Sequence, residues 1–153
     1  FEMLQAMNTG HEGSMTTVHA NSTGDAMSRI ENMLAMTGLE IPVTALRDYL
    51  NSAIDLVLQM ERIPGGRRVF AAISQVEGVK DGRIVLSEIY RFVQEGVDED
   101  GFAHGTFQST GVMPKLLDRM KTRGCDINES ALKKGVLSKV EGMPENIDVE
   151  SGT

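Results

Sequence analysis

The sequence has 153 residues, enough for one domain with a buried core. Apolar residues make up 41% of the chain, a share typical of globular rather than disordered proteins. The net charge of -7 argues against a nucleic-acid-binding surface, which needs clustered Lys and Arg, and against simple adsorption to an anionic lipid surface.

The first forty residues predict two helices with a strand between them. Residues 2–8 have the character of a helix end, and residues 14–20 are rich in β-branched side chains and have the length of one strand. Ser22 is placed as the N-cap of a second helix, with Asp25 three residues later, and Gly38 ends that helix. This helix, strand and helix predict an α/β fold class.

A third helix and three strands follow. Pro42 is placed in the first turn of the helix, which carries Leu46, Leu50 and Ala53 on one face. The strands are predicted over residues 54–60, 68–79 and 83–93, separated by the turns Pro64-Gly65-Gly66 and Asp81-Gly82. Because both turns are short, we expect the strands to form an antiparallel β meander.

The remaining sequence has weaker signals. Residues 94–112 are rich in Gly and Asp and predict a loop, and residues 113–123 predict a short amphipathic helix. Asn128 is placed to cap a last helix, which would include Ala131, Leu132 and Val136. The acidic tail from residue 141 has no hydrophobic pattern, so we expect residues 141–153 to be disordered.

Two histidines lie in the predicted α/β unit. His19 ends the predicted strand, and His11 lies on the turn before it. Ligands of open α/β sheets bind beyond the carboxyl ends of the strands, so His19 is placed to contact a ligand's phosphates. Imidazoles donate hydrogen bonds to a polyphosphate without the permanent charge of Lys. From composition alone, a solvated or capping side chain is the favoured interpretation for either histidine.

The residues around these histidines resemble a known family. The run from Leu4 to His11 (Leu-Gln-Ala-Met-Asn-Thr-Gly-His), followed by Gly13-Ser14-Met15-Thr16-Thr17-Val18-His19-Ala20-Asn21-Ser22, resembles the histidine box of type II/type IV secretion ATPases. The similarity is greatest to the CpaF branch, the motor of Flp or Tad pili. It continues through residues 26–33 and 52–59 and, more loosely, to about residue 137.

The resemblance implies a site, cofactors and partners. It assigns nucleotide sensing to His11 and His19, supported by Thr9, Gly10, Gly13, Ser14 and Thr17. The complete protein would use ATP and Mg²⁺ and form a homohexamer in the cytoplasm, peripheral to the inner membrane on a secretion or pilus platform. It would couple ATP hydrolysis to Flp/Tad pilin assembly or export. No nucleic-acid partner is implied.

The resemblance also divides the chain. Residues 1–93 correspond to the C-terminal part of a RecA-like P-loop NTPase domain, with the histidine box at residues 9–20. Residues 94–140 correspond to a loop and C-terminal helices, and residues 141–153 to the acidic tail. We therefore expect the chain to be the C-terminal piece of a longer motor, consistent with its start at Phe1 without an initiator Met.

One family motif is missing. The sequence contains no G-x-x-x-x-G-K-[ST], whose backbone cradles phosphates and whose hydroxyl binds Mg²⁺. We therefore expect no catalytic residue, no ATP hydrolysis and no tightly bound cofactor in the isolated chain. Two alternatives remain open, a conjugation-type type IV secretion ATPase and a non-catalytic protein-interaction module.

Other candidate residues are compatible with two roles. Arg62, Arg67 and Arg68 form the densest basic cluster and are consistent with an anionic contact on a neighbouring subunit or with a solvated turn, and Arg29 presents the same choice. Asp55 is either a buried acid or an outward-facing edge residue.

No metal site is predicted. His11-Glu12 begins like H-E-x-x-H, but position 15 is Met, so the second zinc ligand is missing. Cys125 is the only cysteine, which excludes an internal disulfide and a cysteine-based zinc site and is typical of a reducing compartment.

Overall fold

The protein folds as a five-stranded antiparallel sheet with two helices packed on one face. The computed structural model describes residues 5, 7, 13–38 and 40–141. Within them the strand order is β1-β2-β3-β4-β5, so neighbours in sequence are neighbours in the sheet. The elements in chain order are α1 (Thr23–Ala35), α2 (Val43–Ala53), β1 (Leu56–Arg62), β2 (Arg68–Lys80), β3 (Arg83–Val97), β4 (Ala103–Ser109), α3 (Leu116–Thr122), a 3-10 helix (Glu129–Leu132) and β5 (Gly135–Val140).

The capping signals place α1 as predicted. The Ser22 hydroxyl accepts a hydrogen bond of 3.0 Å from the Asp25 backbone N–H, which satisfies one of the free donors at the helix start. Gly38 has a φ of +76° just beyond the helix, a conformation that glycine adopts without steric cost. The buried Met27 and Leu34 of α1 direct its apolar face toward the sheet.

Helix α2 is also confirmed, with Pro42 one residue before it rather than within its first turn. Leu46 and Leu50 are buried, and Leu50 is 0% exposed at the centre of the main core. The guanidinium of Arg47 donates two hydrogen bonds, of 3.1 and 2.6 Å, to the carboxylate of Glu31 on α1. This two-point contact joins the polar sides of the two helices.

The predicted meander is confirmed as the first three strands. The turn between β2 and β3 has positive φ at Asp81 (+51°) and Gly82 (+69°), the pattern of a tight hairpin whose twist matches its strands. One face of this meander packs on α1 and α2 through Val57 and Val76.

The sheet continues where the sequence predicted a loop and a helix. Strand β3 extends to Val97, and β4 occupies residues 103–109 of the predicted loop. The expected C-terminal helices are only α3 and the 3-10 helix, because Val136 lies in β5, paired with β4. Small and polar residues are buried in β4, so its sequence lacks the apolar alternation of a strand.

The predicted strand at residues 14–20 is wrong. These residues have no regular secondary structure, and Met15 is 93% exposed. Within the described part of the chain, no backbone hydrogen bond joins residues 15–20 to the sheet, and a strand forms only when its backbone groups are paired. Most of the predicted helix at 2–8 and residues 142–153 of the acidic tail lie outside the described residues.

Two smaller cores supplement the main one. Ile63, Val69 and Ala103 pack together near the β1–β2 turn, against Phe92 and Phe107, whose ring centroids are 5.2 Å apart. On the face away from α1 and α2, the C-terminal elements are held by Ile89, Leu117 and Leu132.

Candidate functional site

The polar face of α1 forms one wall of a shallow groove of about 710 Å³. The other wall is the segment at residues 19–21, which enters the helix. The apolar positions of α1 pack into the core, so the residues at the alternate helical spacing are left to line the groove. The lining residues are His19, Ala20, Asn21, Asp25, Ser28, Arg29, Asn32, Met33 and Met36.

Two side-chain contacts fix the segment that carries His19. The Gln59 side-chain amide of β1 donates a 3.0 Å hydrogen bond to the carbonyl oxygen of Ala20. The hydroxyls of Thr23 and Ser74 lie 3.2 Å apart, which ties the start of α1 to β2. These contacts hold His19 beside the N-terminal half of α1, although the segment forms no strand.

The groove contains two uncommitted nitrogen donors. Among the described residues, His19 and Arg29 have neither a hydrogen bond nor an ion pair, and both side chains are exposed. Asn21, Ser28 and Asn32 add neutral polar groups. Arg keeps its charge at any physiological pH, and its planar fork matches the oxygens of a phosphate or carboxylate. This wall can therefore bind an anion.

One acid opposes that binding. Asp25 lies in the first turn of α1 and lines the same groove, so its carboxylate repels an anion there. Its backbone N–H is already bound to the Ser22 hydroxyl and is therefore less available to a ligand. Arg29 and His19, rather than the helix N-terminus, are the main donors on this surface.

The structure describes four of the seven residues predicted to sense a nucleotide. His19 lines the groove, Gly13 has a φ of +89°, Ser14 is half-buried and Thr17 is exposed. Thr9, Gly10 and His11 lie outside the described residues. Of the four, His19 alone is among the described residues that line the groove.

The structure adds residues that the sequence did not assign to this site. The sequence left two interpretations of Arg29 open, and in the structure Arg29 lines the groove with His19, as do Asn32 and Met36. Their spacing along α1 is a sequence signal, since positions 25, 29, 32 and 36 fall on one helical face. The opposite wall required the tertiary fold.

The remaining candidates lie elsewhere. Arg62 and Arg68 face each other across the β1–β2 hairpin, and Arg67 lies in its turn. Asp55 is exposed and forms an ion pair of 2.6 Å with Arg119, which settles its outward-facing role.

A second, smaller cavity of about 220 Å³ lies between α2, β1 and α3. Its charged side chains are paired, because the Lys115 ammonium lies 2.7 Å from Glu77 and Asp55 is bound to Arg119. The hydrogen bond from Lys115 is the main cause that lowers the pKa of Glu77. With its charges satisfied, this cavity is a weaker candidate than the groove.

The described residues contain neither a metal-ligand cluster nor a membrane-spanning helix. Across residues 5, 7, 13–38 and 40–141, no three His, Cys, Asp or Glu side chains are grouped as metal ligands. In the same part of the chain, no helix combines the length and apolar character needed to cross a membrane.

Comparison with known proteins places these features in a family. Residues 1–98 match the family model described as "Type II/IV secretion system protein". A Mycobacterium tuberculosis protein named for conjugal transfer is 34% identical over 102 residues, covering 67% of this chain and 28% of the relative. Conjugal transfer protein TrbB of Rhizobium radiobacter is 32% identical over 93 residues, with 61% and 27% covered.

A third relative comes from a different system. Type IV secretion system protein VirB11 of Bartonella henselae is 34% identical over 74 residues, covering 45% of this chain and 20% of the relative. The chain thus spans about a quarter of the length of the curated relatives it matches, or less.

Proposed function

Because this chain belongs to the type II/IV secretion system protein family, whose members are secretion ATPases, we propose that it forms part of an ATPase that drives conjugal transfer or type IV secretion. The named relatives come from conjugal transfer and type IV secretion, which supports this branch over the Flp/Tad pilus branch. In the complete protein, ATP and Mg²⁺ are the cofactors and the assembly is a homohexamer.

The observation that carries the proposal is that His19 and Arg29 line one groove. In our proposal they contact the phosphates of a nucleotide, Arg29 through its guanidinium and His19 through an imidazole N–H. A volume of about 710 Å³ is within the range of about 300–1,000 Å³ typical of small-molecule sites. Because the groove is shallow, a second surface is needed to enclose the nucleotide, as expected at a subunit boundary.

Loss of the γ-phosphate would remove hydrogen-bond acceptors from both Arg29 and His19. Hydrolysis would then weaken the attachment of α1 and the residue 19–21 segment to the nucleotide. The Gln59–Ala20 hydrogen bond joins this segment to β1, so a displacement there is transmitted to the sheet. This is the step by which the groove would report the nucleotide state to the rest of the motor.

Nucleotide titration of the 153-residue chain tests the groove. We expect weak binding of ATP and no hydrolysis. Replacing Arg29 with Gln should reduce affinity about 10- to 100-fold, because a hydrogen bond to a charged group contributes about 1.5–3 kcal/mol. Asp25→Asn should increase affinity. Arg83→Gln, at the exposed first residue of β3, is the matched control and should leave affinity unchanged.

Equal loss in the Arg29 and Arg83 variants, or none in either, contradicts the proposed groove. In the complete protein, His11→Ala and His19→Ala should each abolish ATP turnover while the protein remains folded. Wild-type turnover in both variants would remove the nucleotide-sensing role. Tight ATP binding by this chain alone would contradict the expectation that its main phosphate-binding groups lie outside it.

A second candidate is an Flp/Tad pilus motor. The run Leu4-Gln5-Ala6-Met7-Asn8 resembles that branch more than the conjugation branch. A deletion strain separates the two, because loss of DNA transfer with normal pili supports the first proposal. Loss of pili with normal DNA transfer supports the second. Both versions place the motor in the cytoplasm, peripheral to the inner membrane on a platform protein.

A further inference from the structure

Strand β5 forms one edge of the sheet, and within the described part of the chain its outer side pairs with no other strand. It is the last strand in the order and is hydrogen-bonded to β4 alone. A strand carries backbone N–H and C=O groups on both sides, so alternate groups of Gly135–Val140 point away from β4. Such a row of groups is a template on which another extended chain can pair. The strand also lies beyond residues 1–98, so the family match does not account for this edge.

The side chains of β5 are open to solvent. All of its residues except Val140 are exposed. Val136 is 58% exposed and Leu137 is 44% exposed, so two large apolar side chains lie next to each other on the free edge. Proteins usually shorten, cover or blunt an edge of this kind, because it promotes pairing with other chains. An additional strand would bury part of both side chains and satisfy the outward backbone groups at the same time.

Three lysines determine the charge of this edge. Lys133 and Lys134 directly precede β5, and Lys139 lies near its end. All three are exposed, and among the described residues none of them forms an ion pair. Residues 133–141 contain these three Lys and one acid, Glu141, so the stretch is positive although the whole chain has a charge of -7. The edge therefore attracts a chain that carries carboxylates.

A second copy of the chain is a poor occupant of the edge. Antiparallel pairing of two β5 strands centred on Leu137 would place Lys134 of one copy near Lys139 of the other. Like charges in neighbouring cross-strand positions destabilise a strand pair, whereas opposite charges stabilise it. The same lysines that oppose self-pairing therefore favour an acidic strand.

We propose that the free edge of β5 binds an extended acidic segment of a partner protein, which joins the sheet as an additional strand. Backbone hydrogen bonds to β5 supply part of the affinity. Carboxylates of the segment contact Lys133, Lys134 and Lys139, and its apolar side chains cover Val136 and Leu137. This surface lies on different elements from the nucleotide groove and adds a protein partner to the proposed motor.

Fluorescence anisotropy of labelled peptides with the 153-residue chain tests the proposal. A peptide of alternating Val and Glu should bind, and a peptide of alternating Val and Lys should not. A Pro–Glu repeat of the same length keeps the carboxylates but lacks the N–H of every Pro and cannot form a regular strand. It should bind much more weakly than the Val–Glu repeat. Equal binding of the two acidic peptides would show a purely electrostatic contact and overturn strand addition.

Variants of the chain locate the contact. Lys134→Gln with Lys139→Gln should reduce affinity for the Val–Glu repeat about 2- to 30-fold, the range expected for the loss of two exposed ion pairs. Lys80→Gln with Arg83→Gln removes the same charge at the exposed β2–β3 hairpin and should have little effect. Val136→Ser with Leu137→Ser should also weaken binding. Unfolding in urea checks that each variant is still folded.

Other outcomes overturn the proposal. Equal losses in the two charge pairs would show that only total charge matters. Concentration-dependent dimers abolished by Val136→Ser with Leu137→Ser, without peptide binding, would make the edge an interface between copies. At least tenfold tighter peptide binding after Asp148→Asn with Glu150→Gln would make the chain's own acidic tail the occupant. The Arg29 titration is independent, so failure of peptide binding leaves the nucleotide groove standing, and failure at the groove leaves the β5 edge standing.

Discussion

Replacing Leu117 with Ala should destabilise the protein far more than removing the ion pair beside it. Leu117 of α3 is 7% exposed and packs with Ile89 and Leu132 on the sheet face away from α1 and α2. Two residues later, Arg119 contacts Asp55 at 2.6 Å, but their side chains are 52% and 60% exposed. Both contacts hold the same helix, so they compare burial with charge at one place.

The magnitudes are well separated. A buried Leu→Ala change costs about 2–5 kcal/mol through lost transfer energy and a residual cavity. An exposed ion pair contributes about 0.2–1 kcal/mol, because water screens it and two long side chains must be ordered. For a chain of this size, about 2–4 °C of Tm is lost per kcal/mol. Leu117→Ala should therefore lower Tm by about 4–20 °C, and Arg119→Gln by less than about 4 °C.

Thermal unfolding followed by circular dichroism, with urea denaturation as an independent measure, checks this order. An Arg119→Gln loss equal to or greater than the Leu117→Ala loss would refute the reasoning. So would a Leu117→Ala loss below about 1 kcal/mol, because that value is typical of an exposed site.

Two further predictions concern the β1–β2 turn and the pH dependence of folding stability. Gly65→Ala should be destabilising because Gly65 has a φ of +86° and the added β-carbon would collide with Phe102. Gly101 has the same φ of +86° but open space around it, so Gly101→Ala should cost only the backbone strain. The urea midpoints of the two variants compare these costs, and equal losses of stability would contradict the packing argument. The pKa of Glu77 is lowered chiefly by its hydrogen bond from Lys115, so its stabilisation is present above the unfolded value of about 4.3 and is lost as pH falls through the lower folded value. Glu77→Gln should therefore be less stable than the parent near pH 7, with the difference closing toward about pH 2, and a pH-independent difference would contradict the assignment.

Local signals predicted α1, α2 and the β2–β3 turn well. The Ser22 cap, the apolar faces of α1 and α2 and the Asp81-Gly82 turn are decided by residues close in sequence. Their physical causes, a free helix donor, helical periodicity and positive φ, can be evaluated without the tertiary structure.

The candidate site was only partly predictable. The resemblance of its sequence selected His19, whereas Arg29 gained a site only when the residue 19–21 segment was placed beside α1. That placement depends on Gln59, which is 39 residues from Ala20 in sequence. Side chains of this kind look like solvated helix residues until a distant element forms the facing wall.

The three strand errors have one physical cause, the availability of a partner. Residues 15–20 include strand-forming side chains, but within the described structure no backbone hydrogen bond pairs them with the sheet, so their backbone is irregular. Strand β4 has small and polar residues, yet it forms because β3 offers an edge, and β4 then offers its own edge to β5. Strand propensity expresses how a side chain fits a pleated surface, whereas backbone pairing decides whether that surface exists. A neighbouring strand supplied to residues 14–20 would therefore be expected to make them a strand and to reposition His19 relative to Arg29.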